Sequence, residues 1–371
     1  MPTSQILLAT TVSGDQPLVP FNLTLDASDN SRNGDSTSVQ STWWGTQSYD
    51  AGFVTNIGQQ SYTGFYAFTA GKAATLTATC SGASGFGNGR GRSITATFSI
   101  AVGDRIVFFA GKPSTGTVNN EGGGGGASCL LKYGSSLYSD PDYENGFVPL
   151  IIAAGGGGIG VNYAASNGEI AVAAPPLTVT TSYTSTQIMA LRDAFYPNAN
   201  LVAKGGGASR GTANPSIAQS GGCGWKSGSR NQYTGNIDSF NSNSSVGIAY
   251  GALGNYRVNS TGKDGGFGGG GSDYDGNSYG CGGGGYYGGS ENTGANSVNN
   301  DASGNPAYTA YSYYISTGSN NILEGDGRHG ALSFVHSDGT NVTDNGLYGT
   351  GTYLATADSA QNKGRVYLAF S

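Results

Sequence analysis

Several glycine runs in this chain lie beside basic residues, a pattern that could hold a phosphate group. Lys204 precedes the run at residues 205–207, and Lys263 precedes the run that begins at Gly265. A phosphate-binding P-loop instead needs GxxxxGK[ST] between a strand and a helix, with the lysine after the glycines. The order of residues therefore argues against nucleotide binding.

Two further patterns could bind a metal ion. His329 and His336 lie on or near one predicted strand, and their odd spacing places them on opposite faces of it. The segment that contains Asp273, Asp275 and Asn277 begins like a calcium loop, but the glycine and glutamate positions of an EF-hand are missing. A polar loop is the preferred interpretation and a weakly bound cation the alternative. We therefore predict no metal site.

Catalytic carboxylates are also hard to assign. Asp104, Glu144 and Glu324 are scattered along the chain. Their positions in the sequence do not indicate the paired carboxylates that a glycosidase uses, although spacing in sequence does not exclude such a pair. With neither a nucleophile motif nor a cofactor motif, we expect a protein that is not an enzyme and that needs no cofactor.

The four cysteines, Cys80, Cys129, Cys223 and Cys281, are isolated from one another, with no CxxC pair. We expect four reduced thiols, with one or two disulfide bridges as the alternative. The first residues, MPTSQILLATTVSG, lack the basic start and long apolar core of a secretion signal. No apolar stretch approaches the ~20 residues that cross a membrane. We expect synthesis in a cytoplasm, without a signal peptide and without membrane insertion.

Composition indicates a β protein. Glycine accounts for 66 of the 371 residues, and charged residues make up only 11%. Thr, Ser, Asn, Val and Tyr dominate the rest, and this mixture suits strands, turns and polar loops. The net charge of −6 argues against nucleic-acid binding, which needs a positive surface.

Alternating apolar and polar residues predict strands at residues 74–80, 94–100 and 105–110. A turn at Val102, Gly103 and Asp104 predicts that the last two form a hairpin. Residues 147–154 (FVPLIIAA) and 364–371 (GRVYLAFS) predict two more strands, and 185–194 is the one candidate helix. We divide the chain into an N-terminal strand and turn segment, residues 1–60, and a glycine-rich β domain, residues 61–371.

The glycine runs are expected to be ordered. Apolar strands abut them directly, and aromatic residues lie inside the densest block, 265–289, of which fourteen residues are glycine. Ordering glycine is costly, so we expect extended helices with three residues per turn that bond to one another through their backbones. The glycines predicted to build these polyglycine II helices are Gly122, Gly124, Gly126, Gly155, Gly157, Gly206, Gly266, Gly268, Gly270, Gly283 and Gly285.

The order of these segments resembles a known glycine-rich domain. The segments are ATLTATCSGASG (74–85), SITATFSIAVGDRIVFFAGK (93–112), EGGGGGASCLL (121–131), FVPLIIAAGGGGIG (147–160), GGFGGGG (265–271), GCGGGGYYGG (280–289) and GDGRHGALSFV (325–335). Similar domains occur in bacteriophage tail-fibre and adhesin proteins and in the extracellular region of anaplastic lymphoma kinase and leukocyte tyrosine kinase. The resemblance implies a jelly-roll-like β sandwich with polyglycine II helices inserted between strands. The glycine runs here are shorter and more broken than in the receptors.

The resemblance implies a virion surface protein, a tail-fibre or fibre-tip adhesin, that attaches to a polysaccharide or protein receptor on a host cell. The alternative is a purely structural virion component without receptor binding. The expected partners are other virion proteins, with residues 1–60 considered as the virion-attaching segment, and a homotrimer is expected by analogy with viral fibres. Tyrosine and tryptophan offer rigid contact area, and the candidate receptor-binding residues are Trp225, Tyr286, Tyr287, Tyr311 and Tyr313. Packing around the glycine helices or at a subunit contact is the alternative role for these aromatics.

Overall fold

The computed structural model describes part of the chain: residues 17–27, 37–57, 66–86, 89–114, 116–117, 121–133, 147–158, 182–183, 207–208, 222–224, 230–231, 265–271, 282–286, 311–316, 319–324, 333–336, 339–348 and 362–371. These residues form eighteen strands and one helix. The all-β fold expected from the composition is confirmed. The predicted helix at 185–194 lies outside the described residues.

The first half of the chain supplies most strands of the two main sheets. They are β1 (Phe21–Asp26), helix α1 (Thr37–Thr46), β2 (Val54–Thr55), β3 (Tyr66–Ala70), β4 (Ala74–Ser81), β5 (Gly91–Ile100), β6 (Arg105–Phe109), β7 (Gly116–Thr117), β8 (Glu121–Gly122), β9 (Ser128–Tyr133) and β10 (Phe147–Ala153). The later elements are β11 (Ser182–Tyr183), β12 (Gly207–Ala208), β13 (Arg230–Asn231), β14 (Tyr311–Ser316), β15 (Ser319–Glu324), β16 (Phe334–Val335), β17 (Thr340–Tyr348) and β18 (Arg365–Phe370). The strands expected at 74–80, 94–100, 147–154 and 364–371 are confirmed as β4, β5, β10 and β18.

Two antiparallel sheets enclose one hydrophobic core. The five-stranded sheet has the order β1-β18-β4-β5-β17, and the six-stranded sheet has the order β16-β10-β9-β6-β3-β2. Along β4, Leu76, Ala78 and Cys80 are buried while the threonines between them face outward. The same alternation in β5 and β18 directs one face of each strand to the core. Side chains from both sheets form this core.

The turn after β5 carries the chain from one sheet to the other. Strand β5 pairs with β4 and β17, whereas β6 pairs with β3 and β9, so the hairpin expected around Gly103 is wrong. The turn is fixed by Asp104, which accepts a hydrogen bond from the backbone N–H of Ala101 at 2.8 Å. It is also tied to β3, because the N–H of Gly103 donates to the carbonyl of Ala70 at 2.8 Å. A short turn between two strands of alternating pattern is compatible either with a hairpin within one sheet or with a connection between two sheets.

The N-terminal segment contributes to the same sheets as the rest of the chain. Strand β1 pairs along its whole length with the C-terminal strand β18, from Phe21 opposite Phe370 to Asp26 opposite Arg365. Helix α1, which the sequence did not predict, buries Trp43 and Trp44 against aromatic side chains of the six-stranded sheet. The described residues on the two sides of residue 60 therefore share one core.

Candidate functional site

Glycine-rich segments from distant parts of the chain meet at one end of the sandwich. Strand β9 begins where one glycine segment ends, and β10 ends where another begins, and the two strands are antiparallel neighbours. Their glycines are therefore brought to the same end. We call the whole assembly the glycine cluster; its segments are residues 82–86, 123–127, 154–158, 222–224, 265–271 and 282–286.

Backbone hydrogen bonds join these segments to one another. The N–H of Gly125 donates to the carbonyl of Gly156 at 2.7 Å, and the carbonyl of Gly125 accepts from Gly284 at 3.0 Å. The N–H of Gly124 donates to Gly271 at 2.9 Å, and that of Gly271 donates to Gly282 at 2.8 Å. Residues 123–127 thus bond to segments 154–158, 265–271 and 282–286, and the last two of these lie more than a hundred residues further along the chain. These bonds offset the entropy cost of ordering glycine.

The glycines are required because the backbones touch. A Cβ atom added to Gly124 would overlap the carbonyl of Gly282, and one added to Gly155 would overlap the carbonyl of Gly125. The same is true of Gly126 against Phe267 and of Gly283 against Gly155. Of the glycines predicted to build the cluster, those at positions 124, 126, 155, 157, 266, 268, 270, 283 and 285 are buried there. Gly122 lies in β8, and Gly206 lies outside the described residues.

One segment of the cluster is a turn rather than an extended run. Gly268 and Gly269 have φ values of +98° and +94°, and the N–H of Gly270 donates to the carbonyl of Gly266 at 3.0 Å. An L side chain rarely adopts this left-handed backbone, so glycine is needed here for conformation as well as for space. This turn departs from the continuous extended helix that the sequence suggested for residues 265–271.

Aromatic side chains attach the cluster to the six-stranded sheet. Phe267 packs edge-on against Phe109 with a centroid distance of 5.3 Å. Tyr286 stacks on Phe334 at 4.5 Å and is only 2% exposed. The structure therefore favours packing for Tyr286, the alternative left open by the sequence, and this ring offers no surface for a receptor.

Of the other four candidate receptor-binding residues, the structure describes two. Tyr311 and Tyr313 lie in strand β14, which pairs with β15 in a small three-stranded sheet. Trp225 and Tyr287 lie outside the described residues. The described chain thus places Tyr311 and Tyr313 two residues apart on one strand.

The chemistry available in the cluster is limited by its hydrogen bonding. A phosphate cradle needs backbone N–H groups that point at the ligand, whereas those of Gly124, Gly125, Gly266 and Gly284 donate to carbonyls of the chain. The described residues contain no group of three or more His, Cys, Asp and Glu side chains that could hold a metal ion. His336 is buried at 7% exposure, and its backbone N–H donates to Leu150. His329 and the Asp273 loop lie outside the described residues.

The cysteines in the described chain are free thiols in the interior. Cys80 in β4 faces the core between the sheets, Cys129 is buried in β9, and Cys223 lies in the glycine cluster. Burial raises the pKa of the Cys80 thiol far above its ordinary value and has the same effect on Cys129. These groups are therefore held as neutral thiols, which are poor nucleophiles. Cys281 lies outside the described residues.

Comparison with known proteins adds no assignment. No protein-family model matches the chain, and no curated protein sequence matches it. Among the residues that the structure describes, no helix has the length and apolar character needed to cross a membrane.

Proposed function

We propose that this chain is a virion surface protein, a tail-fibre or fibre-tip adhesin that attaches to a receptor on a host cell. The observation that carries the proposal is the bonding of residues 123–127 to four other segments of the glycine cluster. Such bonding fixes the backbone at the ends of the long stretches of sequence that separate the glycine segments. A rigid frame with variable excursions is a common design for binding proteins. The resemblance to phage glycine-rich domains supplies the virion setting.

The proposal also covers the topology of the sandwich and the conformation of the glycine segments. We infer a jelly-roll-like sandwich in which the glycine segments pack as polyglycine II helices. Support comes from backbone contacts made by a single segment on several sides: residues 123–127 contact Ala83, Gly156, Gly271 and Gly284. Helices of this type have no internal hydrogen bonds and leave their donors and acceptors free for neighbours. The turn at Gly268 and Gly269 interrupts one of them.

Binding of purified protein to cells tests the attachment function. The labelled full chain is added to a panel of bacterial and algal cells, with soluble surface polysaccharide as competitor. We expect saturable binding to some strains and none to others. A double variant, Tyr311→Ser with Tyr313→Ser, removes the two candidate contact rings of β14 and is expected to weaken that binding. The Gly45→Ala variant, on an exposed helix position with nothing within 4 Å of the added Cβ, is the matched control.

The competing function is a structural virion component without a receptor. A folded sample that binds no strain in the panel, yet is retained in intact particles, would support this alternative and contradict the adhesin proposal. Thermal unfolding of the same sample establishes that the protein is folded. Imaging of particles with a labelled antibody against the chain then shows whether it lies on the surface.

A further inference from the structure

The outer face of the five-stranded sheet carries two ordered rows in which all residues but one alanine are uncharged and polar. Cross-strand register places one row across four strands and a second row beside it. The first row is Thr24, Tyr367, Thr79 and Thr95; the second is Asn22, Ala369, Thr77 and Thr97. We call these eight residues the hydroxyl face. Its side chains are exposed or half-buried, whereas the alternate residues of the same strands are buried in the core.

Hydrogen bonds between the strands hold the hydroxyl groups in place. The hydroxyls of Thr79 and Thr95 are 2.7 Å apart, and those of Thr77 and Thr97 are 3.2 Å apart. The amide of Asn345 on β17 donates to the hydroxyl of Thr95 at 2.8 Å. β-branched side chains are also stiff at χ1. A ligand that binds this face therefore loses little side-chain entropy in ordering it.

The charges at the border of the face neutralise one another. Arg365 binds Asp26 with an Nε to Oδ1 distance of 2.6 Å, and Arg92 forms an ion pair with Asp344. The eight residues of the hydroxyl face carry no formal charge. The face therefore complements a neutral ligand, and neither an anionic nor a cationic polymer gains a net attraction from these pairs.

Tyr367 gives the face an apolar contact point. It is half-buried and lies between Thr24 and Thr79 in its row. The next outward residue of its own strand is the small Ala369, which leaves room beside the ring. A ring with an apolar body and a polar tip suits a sugar, which presents C–H groups on one face and hydroxyls at its edge.

We propose that the hydroxyl face binds a neutral polysaccharide. The face is a sheet surface rather than a cleft, and small ligands are generally held in concave sites. An extended polymer can instead contact several hydroxyls and the ring of Tyr367 together. This inference names the ligand class for the attachment function proposed above and rests on that function.

Binding to matched polysaccharides provides the test. The full chain is titrated with a set of neutral glucans and galactomannans and with the carboxymethylated form of each. We expect saturable binding to at least one neutral polymer and weaker binding to its carboxymethylated form. Failure of every neutral polymer, or a preference for the charged forms, would overturn the proposal. Light scattering on the same sample tests whether a second copy of the chain covers the hydroxyl face instead. Self-association that the variants below abolish would also overturn the polysaccharide proposal.

Variants locate the binding on the sheet. Thr79→Val with Thr95→Val removes both partners of one hydroxyl pair without changing shape, which is nearly neutral for stability, and we expect about tenfold weaker binding, the effect of ~1.4 kcal/mol. Tyr367→Thr should weaken binding by about tenfold or more, and Tyr367→Phe, which keeps the ring, should change it little. Thr55→Val, on the other sheet, is the control. Unchanged affinity in the first two variants would refute the assignment.

Cell binding by the same samples separates the two proposals. If wild-type protein binds cells but no neutral polymer, or if the hydroxyl-face variants bind cells as wild type does, the polysaccharide inference fails and the attachment function stands. If a neutral polymer binds through the hydroxyl face and no cell is bound, the attachment function fails and the site assignment stands.

Discussion

The indole N–H of Trp43 donates to the backbone carbonyl of Thr24 at a distance of 3.2 Å. Thr24 lies in β1, the edge strand of the five-stranded sheet, and Trp43 lies in helix α1. The same indole packs edge-on against Tyr66 of the other sheet at 4.9 Å. One side chain thus covers part of an open strand edge and joins the two sheets. Edge strands that remain open invite pairing with other chains.

Replacing Trp43 with phenylalanine should therefore destabilise the sandwich. The Trp43→Phe variant loses the hydrogen bond to Thr24 and part of a buried ring, and we expect a decrease of about 2–3 kcal/mol in the free energy of unfolding. Chemical denaturation monitored by circular dichroism gives this quantity. Trp44→Phe is the control, because Trp44 is equally buried but its indole makes no hydrogen bond to the described residues. Equal losses in the two variants would show that the bond to Thr24 contributes nothing.

The glycine cluster should not tolerate a single methyl group. In the Gly283→Ala variant the new Cβ would overlap the carbonyl of Gly155, and backbone atoms on both sides are held by neighbouring segments. We expect a loss of about 3 kcal/mol or more in the free energy of unfolding, or a failure to fold. The measurement is thermal unfolding, compared with wild type.

Replacement of a second glycine, Gly45, should stabilise the protein instead. Gly45 lies in α1 with nothing within 4 Å of an added Cβ, so Gly45→Ala should raise helix stability by about 0.5–1 kcal/mol. If Gly283→Ala melts at the same temperature as Gly45→Ala, the backbones of the cluster are not in contact and the packed arrangement is wrong.

Local pattern predicted the strands but not their partners. Alternation identified β4, β5 and β6, because the period of two is a property of the strand itself. Whether Gly103 turns the chain within one sheet or between two depends on tertiary pairing. The outward rows of threonine were visible as separate strands, but the register that aligns Thr79 with Thr95 and Tyr367 could not be read from one strand at a time.

Two other features depend on contacts distant in sequence. Helix α1 contains threonine, serine and two adjacent tryptophans, which are weak helix formers, and burial of Trp43 and Trp44 stabilises it instead. The apolar strands beside the glycine runs indicated that the runs are structured. The pairing of Gly125 with both Gly156 and Gly284, however, has no signal in the local sequence. The turn at Gly268 was missed because glycine allows extended and left-handed backbone alike.

Cysteine reactivity should report the integrity of the core. Because burial raises the pKa of Cys80 and Cys129, neither thiol forms the nucleophilic thiolate at neutral pH in the folded protein. We expect iodoacetamide to leave both unmodified in the native state and to alkylate both in denaturant. Mass spectrometry of the peptides checks this at each site. Rapid native alkylation of either residue would contradict its burial.

The ion pair of Asp50 and Lys72 should make stability depend on pH in the acid range. The hydrogen bond from Lys72, at 2.8 Å, is the main cause that lowers the pKa of Asp50 from 3.8 to about 2, and the N–H groups of Val19 and Gly52 add to it. Since the folded state favours the charged carboxylate, its contribution is complete above pH 3.8, declines below that and is gone below about pH 2. Asp50→Asn should therefore be less stable than wild type near neutral pH, and urea denaturation should show the difference closing towards pH 2. A difference that is constant across this range would show that the charge of Asp50 does not stabilise the fold.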